Sequence, residues 1–168
     1  KLHHGRVEAQ SDGPGRGSRF TVALPLSRQM SAAAGPASVL TPCPPANVLL
    51  IEDNDDARQS LRALLEHEGH RVDESADGTS GLDRDEKLRP DIVLIDIGLP
   101  GVDGYEVARR IRARRGREPI LVAITGYGQL DDQRRSLEAG LDADLTKPVP
   151  PDQLTSLLGA LAHRRARP

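Results

Sequence analysis

The residues best suited to chemistry are three carboxylates, a hydroxyl and an amine, each at the end of a strand-like run. Glu52 and Asp53 follow NVLLI, and Asp96 ends the run VLID. Thr125 ends ILVAIT, and Lys147 follows ADLT. Because an unpaired charge inside an apolar segment is costly, these positions indicate that the runs end at an accessible edge.

This combination of side chains favours phosphoryl chemistry. Three carboxylates at one edge repel one another unless one is protonated or a cation lies between them. Hard oxygen ligands suit Mg²⁺, which takes one or two carboxylates and keeps several waters. The ion, the Lys147 amine and the Thr125 hydroxyl would stabilise negative charge on transferring phosphoryl oxygens. Asp96 is then expected to act as a nucleophile that accepts a phosphoryl group to form an acyl phosphate.

The elements that must position these residues form a regular alternation. From Asn47 onward, apolar runs and helical patterns alternate five times, which predicts a parallel sheet covered on both faces. The predicted fold class is α/β, a five-stranded doubly wound parallel sheet of the flavodoxin-like type with strand order 2-1-3-4-5. Five units are too few for an eight-fold barrel. In such a sheet the site lies beyond the carboxyl ends of the strands.

The predicted elements follow from apolar periodicity and from helix start and stop signals. We expect Asp55 to cap the first helix and Gly69 to end it. The second helix is the least amphipathic, with Leu82 and Leu88 as its apolar residues. The predicted strands are 47–52, 70–76, 91–97, 119–125 and 143–147, and the helices that follow the first helix are 78–88, 103–115, 131–140 and 151–165.

The N-terminal part has a different composition. Residues 1–27 contain two strand-like runs, GRVEAQS and RFTVALPL, joined by DGPGRGS. We interpret the joining segment as a hairpin connection, because it lacks the lysine of a phosphate-binding loop. Residues 28–46 are rich in Pro and small residues and predict a flexible linker. The predicted organisation is therefore a hairpin fragment, a linker and one domain over residues 47–166.

The bulk composition excludes several classes of function. There are 23 Lys and Arg residues against 25 Asp and Glu residues, so no basic excess favours nucleic acid. The arginines between residues 109 and 117 are expected to be a solvated helix face. The single cysteine, Cys43, leaves no internal disulfide. No apolar run approaches a membrane span of roughly 18 residues, and we predict a cytoplasmic location. We expect His67, His70 and His163 to lie at the surface.

Residues 47–166 resemble a response-regulator receiver domain, the phospho-accepting module of two-component signalling. The matching segments are LLIEDND, PDIVLIDIGLPGVDGYEVARRIR, VAITGYG and the TKP of DLTKPV, in the family's order and at its spacing. The resemblance implies Asp96 as the phospho-acceptor and Glu52 with Asp53 as the acid pair. It also implies Mg²⁺ bound by Asp53, Asp96 and the backbone carbonyl of Gly98.

The same resemblance implies that Thr125 and Lys147 contact the phosphoryl group, and that the Lys147–Pro148 peptide is cis. The donor would be a phosphohistidine in a histidine kinase or a histidine phosphotransfer domain. Family members that drive an output often carry an aromatic residue three positions before the lysine, where this chain has Asp144. An aromatic rotamer switch is therefore not expected here. Tyr127 and Gly98 occupy positions that tune hydrolysis rate in this family.

The segment LHHGRVEAQSDGPGRGSRFTVALPL resembles the end of a histidine-kinase ATP-binding domain, although it departs from the family at His4. A kinase ending, a linker and a receiver together resemble the C-terminal part of a hybrid sensor histidine kinase. The motifs that bind ATP in that family are not in this sequence. We therefore expect no ATP binding by this chain, and a function in phosphoryl relay or as a phosphate sink.

Three other functions were weighed against this one. An aspartyl-phosphate hydrolase usually has a second aspartate two residues after the nucleophile, and Gly98 at that position argues against turnover. A flavin-binding domain would need a hydroxyl- and amide-rich loop after the first strand, whereas EDNDD would repel a phosphate without a metal. A degenerate receiver that serves as a docking surface stays open.

Overall fold

The computed structural model describes residues 6–23, 43–126 and 130–165, apart from the side chains of residues 130–133 and 165. The chain divides into two compact units, Lys1–Ala37 and Ser38–Pro168.

The first unit contains the predicted hairpin. Strands β1 (Arg6–Gln10) and β2 (Arg19–Ala23) are antiparallel, and Val7 pairs with Val22 while Ala9 pairs with Phe20. These pairs lie on one face because alternate residues of a strand share a face. The large apolar side chains of that face are 62–72% exposed.

The second unit is a parallel sheet with helices on both faces. Its strand order is β4-β3-β5-β6-β7, which is 2-1-3-4-5 when the strands are counted from β3, so the predicted fold is confirmed. The elements are β3 (Asn47–Ile51), α1 (Asp55–His67), β4 (Arg71–Ser75), α2 (Gly78–Leu88), β5 (Ile92–Asp96), α3 (Gly104–Arg115), β6 (Ile120–Thr125), α4 (Leu130–Ala139), β7 (Ala143–Thr146) and α5 (Pro151–Arg165).

Two apolar cores cover the two faces of this sheet. Leu49 and Ile51 of β3 belong to the core that also holds side chains of α2, α3 and α4. Val48 and Leu50 belong to the core formed with α1 and α5. Strands that are buried on both faces read as continuous apolar runs, which is why β3, β5 and β6 were readily predicted.

Helix α1 is capped one residue earlier than expected. Asn54, and not Asp55, is the N-cap, and its side chain accepts a hydrogen bond from the Ala57 N–H at 2.9 Å. An amide oxygen caps a helix as well as a carboxylate does. Asp55 instead lies in the first turn, where a negative charge is favourable.

Helix α2 packs through its glycines. Gly78, Gly81, Leu82 and Asp85 form its buried face, while Leu88 is 45% exposed. A side chain at position 81 would place its Cβ 2.5 Å from the Cδ1 atom of Ile51. The helix can therefore lie close to the sheet although it has few apolar residues.

His70 is buried, so the expectation of a surface position was wrong. Its Nδ1 atom accepts a hydrogen bond from the Ala46 N–H at 3.2 Å, and the Arg71 N–H donates to the Ala46 carbonyl at 2.9 Å. Cys43 and Ala46 also pack against the core on the α1 and α5 face. The last residues of the predicted linker thus pack against the sheet, and His70 accepts a hydrogen bond from them.

Candidate functional site

The carboxyl ends of four strands position the predicted site residues. Glu52 follows β3, Asp96 ends β5, Thr125 ends β6 and Lys147 follows β7. Glu52, Asp96 and Thr125 are buried, and Asp53 is exposed beside them. The edge of the sheet that the fold rule selects is therefore the one that collects these groups.

Lys147 connects two of the carboxylates. Its Nζ atom lies 2.9 Å from Oδ2 of Asp96, and 3.0 Å and 2.8 Å from the two carboxylate oxygens of Glu52. The backbone N–H of Lys147 donates to the Thr125 carbonyl at 2.8 Å. The Lys147–Pro148 peptide is cis, as the resemblance implied.

Three carboxylates converge around that amine. Glu52, Asp53 and Asp96 each place one oxygen within 4.8 Å of the others. Backbone N–H groups hold two of them, because Asn54 donates to Glu52 at 3.3 Å and Gly98 donates to Asp96 at 3.0 Å. Oε2 of Glu52 is buried and lacks a partner with hydrogen-bond geometry, although the Lys147 amine is near it. A cluster of three carboxylates that offers only oxygen ligands fits a hard divalent cation.

Burial and the neighbouring charges together shift the pKa values of Glu52 and Lys147. Burial raises the pKa of Glu52, and the charge of Asp96 raises it further, while Lys147 acts in the opposite direction. Burial by itself would lower the pKa of Lys147, but hydrogen bonds and charge from Glu52 and Asp96 outweigh it, so the pKa is raised. The charged form of Lys147 is therefore favoured, whereas burial disfavours the charged form of Glu52. A further positive charge would stabilise the acid pair.

The hydroxyl of Thr125 takes part in a different contact. Its Oγ1 atom donates to the Leu145 carbonyl at 3.4 Å, a long hydrogen bond. Thr125 is joined to the acid cluster through the backbone of Lys147, as described above. Tyr127, which was expected to tune hydrolysis, lies outside the described residues.

Two glycines lie next to Asp96, and only one of them is required by the packing. A Cβ atom at position 98 would lie 3.6 Å and 3.8 Å from the two Asp96 carboxylate oxygens, so any side chain there would contact the carboxylate. A Cβ atom at position 104 would lie 2.3 Å from the Asp96 carbonyl oxygen. Gly104 therefore permits the start of α3 to approach the end of β5.

Arg58 contacts the site and was not predicted from the sequence. Its Nη1 atom donates to the Glu52 carbonyl at 2.8 Å, its Nη2 atom pairs with Asp55, and its Nε atom lies 3.9 Å from Glu74. Its side chain is 14% exposed. No feature of the sequence distinguishes it from Arg62, one turn later in the same helix.

The arginines of α3 are engaged within the chain. Five of them form ion pairs: Arg109 and Arg110 with Glu106, Arg112 with Asp142, Arg114 with Glu86, and Arg115 with Asp85. Arg109, Arg110 and Arg114 are about half exposed, as a solvated face predicts, whereas Arg112 and Arg115 are only 13% and 6% exposed, so the prediction was wrong for these two. The expected absence of nucleic-acid binding stays a prediction. No helix in the described part of the chain is long and apolar enough to cross a membrane.

Comparison with known proteins identifies the family. The chain belongs to the response regulator receiver domain family, whose model matches residues 48–159. It is similar to the transcriptional regulatory protein AfsQ1 of Streptomyces coelicolor, with 40% identity over 121 residues that cover 72% of this chain and 53% of that protein. The chain spans about half the length of the curated relatives it matches.

Solved structures agree with this assignment. A putative response regulator from Chloroflexus aurantiacus superposes with a TM-score of 0.68 at 28% identity, covering 72% of this chain and all of that one. The receiver domain of a signal transduction histidine kinase from Syntrophus aciditrophicus gives a TM-score of 0.67 at 27% identity, covering 73% of this chain and 94% of that one. Residues 48–159 are thus a receiver domain of a two-component response regulator, as the resemblance implied.

Proposed function

We propose that this chain accepts a phosphoryl group from a phosphohistidine onto Asp96, in a reaction that depends on Mg²⁺, and then passes the group on or loses it to water. The single observation that carries this proposal is the contact of the Asp96 carboxylate with the Lys147 amine at 2.9 Å, inside a cluster with Glu52 and Asp53. A nucleophilic carboxylate beside a fixed cation is the arrangement that phosphoryl acceptance needs.

In the proposed step, one carboxylate oxygen of Asp96 forms a bond to phosphorus. The bond between phosphorus and the histidine nitrogen breaks, and the nitrogen keeps the electron pair. Lys147 remains charged and stabilises the phosphoryl oxygens as negative charge shifts onto them. Thr125 would exchange its long hydrogen bond to Leu145 for one to a phosphoryl oxygen.

Mg²⁺ would be held by Asp53, Asp96 and the Gly98 carbonyl, with Glu52 as the second member of the acid pair. When bound, the ion supplies positive charge to the phosphoryl oxygens. The fit rests on the oxygen-only set of ligands, because the carboxylates of Glu52, Asp53 and Asp96 each place an oxygen within 4.8 Å of the others. The exposure of Asp53 leaves space for the waters that Mg²⁺ retains.

For the whole protein, we propose the C-terminal part of a hybrid sensor histidine kinase. Residues 1–27 would end the ATP-binding domain, 28–46 would form the linker and 47–166 the receiver. The proposal is supported by the hairpin within the first segment and by the similarity to the receiver of the Syntrophus histidine kinase. The partner would be a histidine kinase or a histidine phosphotransfer domain in the cytoplasm.

The similar transcriptional regulators favour a second candidate, a receiver that controls an output on DNA.

The test is intact-mass spectrometry after incubation with acetyl phosphate, with and without Mg²⁺. The wild-type chain is expected to gain one phosphoryl group when Mg²⁺ is present. Asp96→Ala is expected to gain none. The control Asp91→Ala, which changes the residue directly before the same strand, is expected to gain one. An adduct that persists in Asp96→Ala contradicts the proposal. Absence of any adduct, with Mg²⁺ bound, favours the docking function, and steady phosphate release favours a hydrolase.

A further inference from the structure

We infer that Arg58 is a positioning residue that holds the acid pair in the geometry needed for Mg²⁺. This inference rests on the proposed function, because it concerns the same metal site. Arg58 has no contact with the Asp96 carboxylate among the described interactions, so it would act through the backbone of the loop between β3 and α1.

The contacts of Arg58 converge from three directions. Its Nη1 atom donates to the Glu52 carbonyl at 2.8 Å, and its Nη2 atom pairs with Asp55 at the start of α1. Glu74 of β4 lies on the third side, 3.9 Å from Nε. With 14% of its side chain exposed, Arg58 is fixed between the loop, the helix and the neighbouring strand.

The carbonyl that Arg58 contacts controls the direction of Asp53. The Glu52 carbonyl and the Asp53 N–H belong to one planar peptide group. A hydrogen bond to that carbonyl therefore sets the orientation of the peptide from which Asp53 projects. The carboxylate of Glu52 is held separately, by Lys147 and the Asn54 N–H. Asp53 has no comparable side-chain contact among the described interactions, so its position depends on the backbone.

An arginine suits this role better than a lysine. The guanidinium group is planar and presents donors in a rigid fork. It can bond the Glu52 carbonyl and Asp55 with two different nitrogens at the same time. The single ammonium group of a lysine would have to share one nitrogen between these partners, and would hold the peptide less firmly.

The sign of the effect separates positioning from simple electrostatics. Arg58 is a positive charge beside a cation site, so its charge alone repels Mg²⁺, and its removal should strengthen binding. If Arg58 positions the loop, its removal should weaken binding. Arg62 provides a matched control on the same helix, because it also pairs with Glu74, at 3.4 Å, and with Glu66, but does not contact Glu52.

The experiment measures Mg²⁺ dissociation constants of the full chain by isothermal titration calorimetry, with the Mg²⁺ dependence of adduct formation from acetyl phosphate. Loss of residues that support metal ligands weakens metal binding by about 10–100-fold. Arg58→Ala is expected to raise the dissociation constant by about that factor, with the maximal rate at saturating Mg²⁺ kept within about three-fold. Arg62→Ala is expected to bind Mg²⁺ as the wild type does, or slightly more tightly.

Several results would overturn the inference. If Arg58→Ala binds Mg²⁺ as tightly as the wild type or more tightly, only the electrostatic effect of Arg58 remains. If Arg62→Ala loses as much Mg²⁺ affinity as Arg58→Ala, the contact of Arg58 with the Glu52 carbonyl is not what matters. If circular dichroism shows that Arg58→Ala is unfolded, the Mg²⁺ affinities of Arg58→Lys and Arg62→Lys are compared instead. Weaker Mg²⁺ binding by Arg58→Lys supports positioning, and equal binding by the two variants refutes it. Wild-type chain that binds Mg²⁺ without forming an adduct refutes the proposed function alone, whereas failure to bind Mg²⁺ refutes both.

Discussion

At the scale of single residues, Lys147 balances the charge of the site. It is the cation that contacts both Glu52 and Asp96, and its own charged form is stabilised by them. Without it, the described site would consist of three carboxylates with backbone N–H donors. The lysine therefore has a structural function before any phosphoryl group arrives, and a divalent ion would partly share that function.

Replacing Lys147 by methionine should destabilise the metal-free protein by about 1–3 kcal/mol, because a buried carboxylate loses its partner. Mg²⁺ should reduce this loss, since it binds the folded chain and supplies positive charge. Urea unfolding of Lys147→Met with and without Mg²⁺ measures both effects. Lys87→Met, on an exposed part of α2, serves as the control. An equal loss with and without Mg²⁺ would contradict the charge-balance argument.

Some of the site was predictable from the sequence and some was not. Glu52, Asp96 and Lys147 were found because each ends a strand-like run and parallel strands end at one edge. Arg58 was missed because its contact with a backbone carbonyl depends on how α1 folds back against the loop. The burial of His70 was missed for a similar reason. Its hydrogen bond from the Ala46 N–H forms only when the chain before β3 packs on the sheet.

At the scale of elements, α2 and α3 are joined by a buried ion pair. Asp85 of α2 lies 2.6 Å from the guanidinium of Arg115, and their side chains are 1% and 6% exposed. Arg115 also donates to the Pro90 carbonyl at 3.1 Å. One of the polar residues that made α2 look poorly amphipathic therefore forms a buried contact. The sequence pattern does not reveal this, because a buried charged residue cannot be told from an exposed one by its type.

The substitution Asp85→Asn should destabilise the protein by about 3 kcal/mol, because it leaves the Arg115 charge buried without its main partner. The adjacent Glu86 offers a matched control. It pairs with Arg114 at 3.5 Å, but both side chains are largely exposed, so Glu86→Gln should change stability by less than about 1 kcal/mol. Chemical denaturation measures both variants. Similar losses in the two variants would show that burial of the pair does not matter.

His70 should make the stability of the sheet unit depend on pH. Burial lowers its pKa, although Glu68 raises it in part. Above the ordinary value of 6.5 the imidazole is neutral in both states. As the pH falls below that value, the unfolded chain takes up a proton before the folded chain does, and stability is lost. Protonation would also break the bond from Ala46, since Nδ1 is the acceptor.

We therefore expect the wild type to lose more stability than His70→Gln between pH 7.5 and pH 5. Thermal melts at the two pH values measure the difference. His67→Gln, changed at an exposed position near the end of α1, should behave as the wild type does. If the difference in melting temperature between the wild type and His70→Gln is the same at both pH values, His70 does not change its protonation on unfolding.

At the scale of the whole molecule, the two compact units raise the question of where the receiver begins. The alternation of strands and helices predicted a parallel sheet, because each parallel connection needs a crossover, usually a helix. It did not predict that residues 43–46 would contact the sheet unit, because a Pro-rich segment without apolar period carries no packing signal. The contact of Ala46 with His70 and Arg71 extends the folded unit before Asn47.

Two shortened chains test this boundary. A chain that begins at Ser38 should melt within about 2 °C of the full chain, because it keeps the contacts of Cys43 and Ala46. A chain that begins at Asn47 should be less stable, because it lacks both. Thermal melts of the three chains give the comparison. Equal stability of the two shortened chains would mean that residues 43–46 contribute nothing, and a large loss in the first would mean that the unit needs residues before Ser38.

The most direct test of the account is to locate the acyl phosphate. The chain is incubated with acetyl phosphate and Mg²⁺ and then treated with borohydride, which reduces an acyl phosphate of aspartate to homoserine. Tandem mass spectrometry then identifies the modified position. The account predicts homoserine at position 96, and none when Mg²⁺ is omitted. Homoserine at Asp53 or at another aspartate, or a reduced glutamate, with Asp96 unchanged, would contradict the assignment of Asp96 as the phosphoryl acceptor.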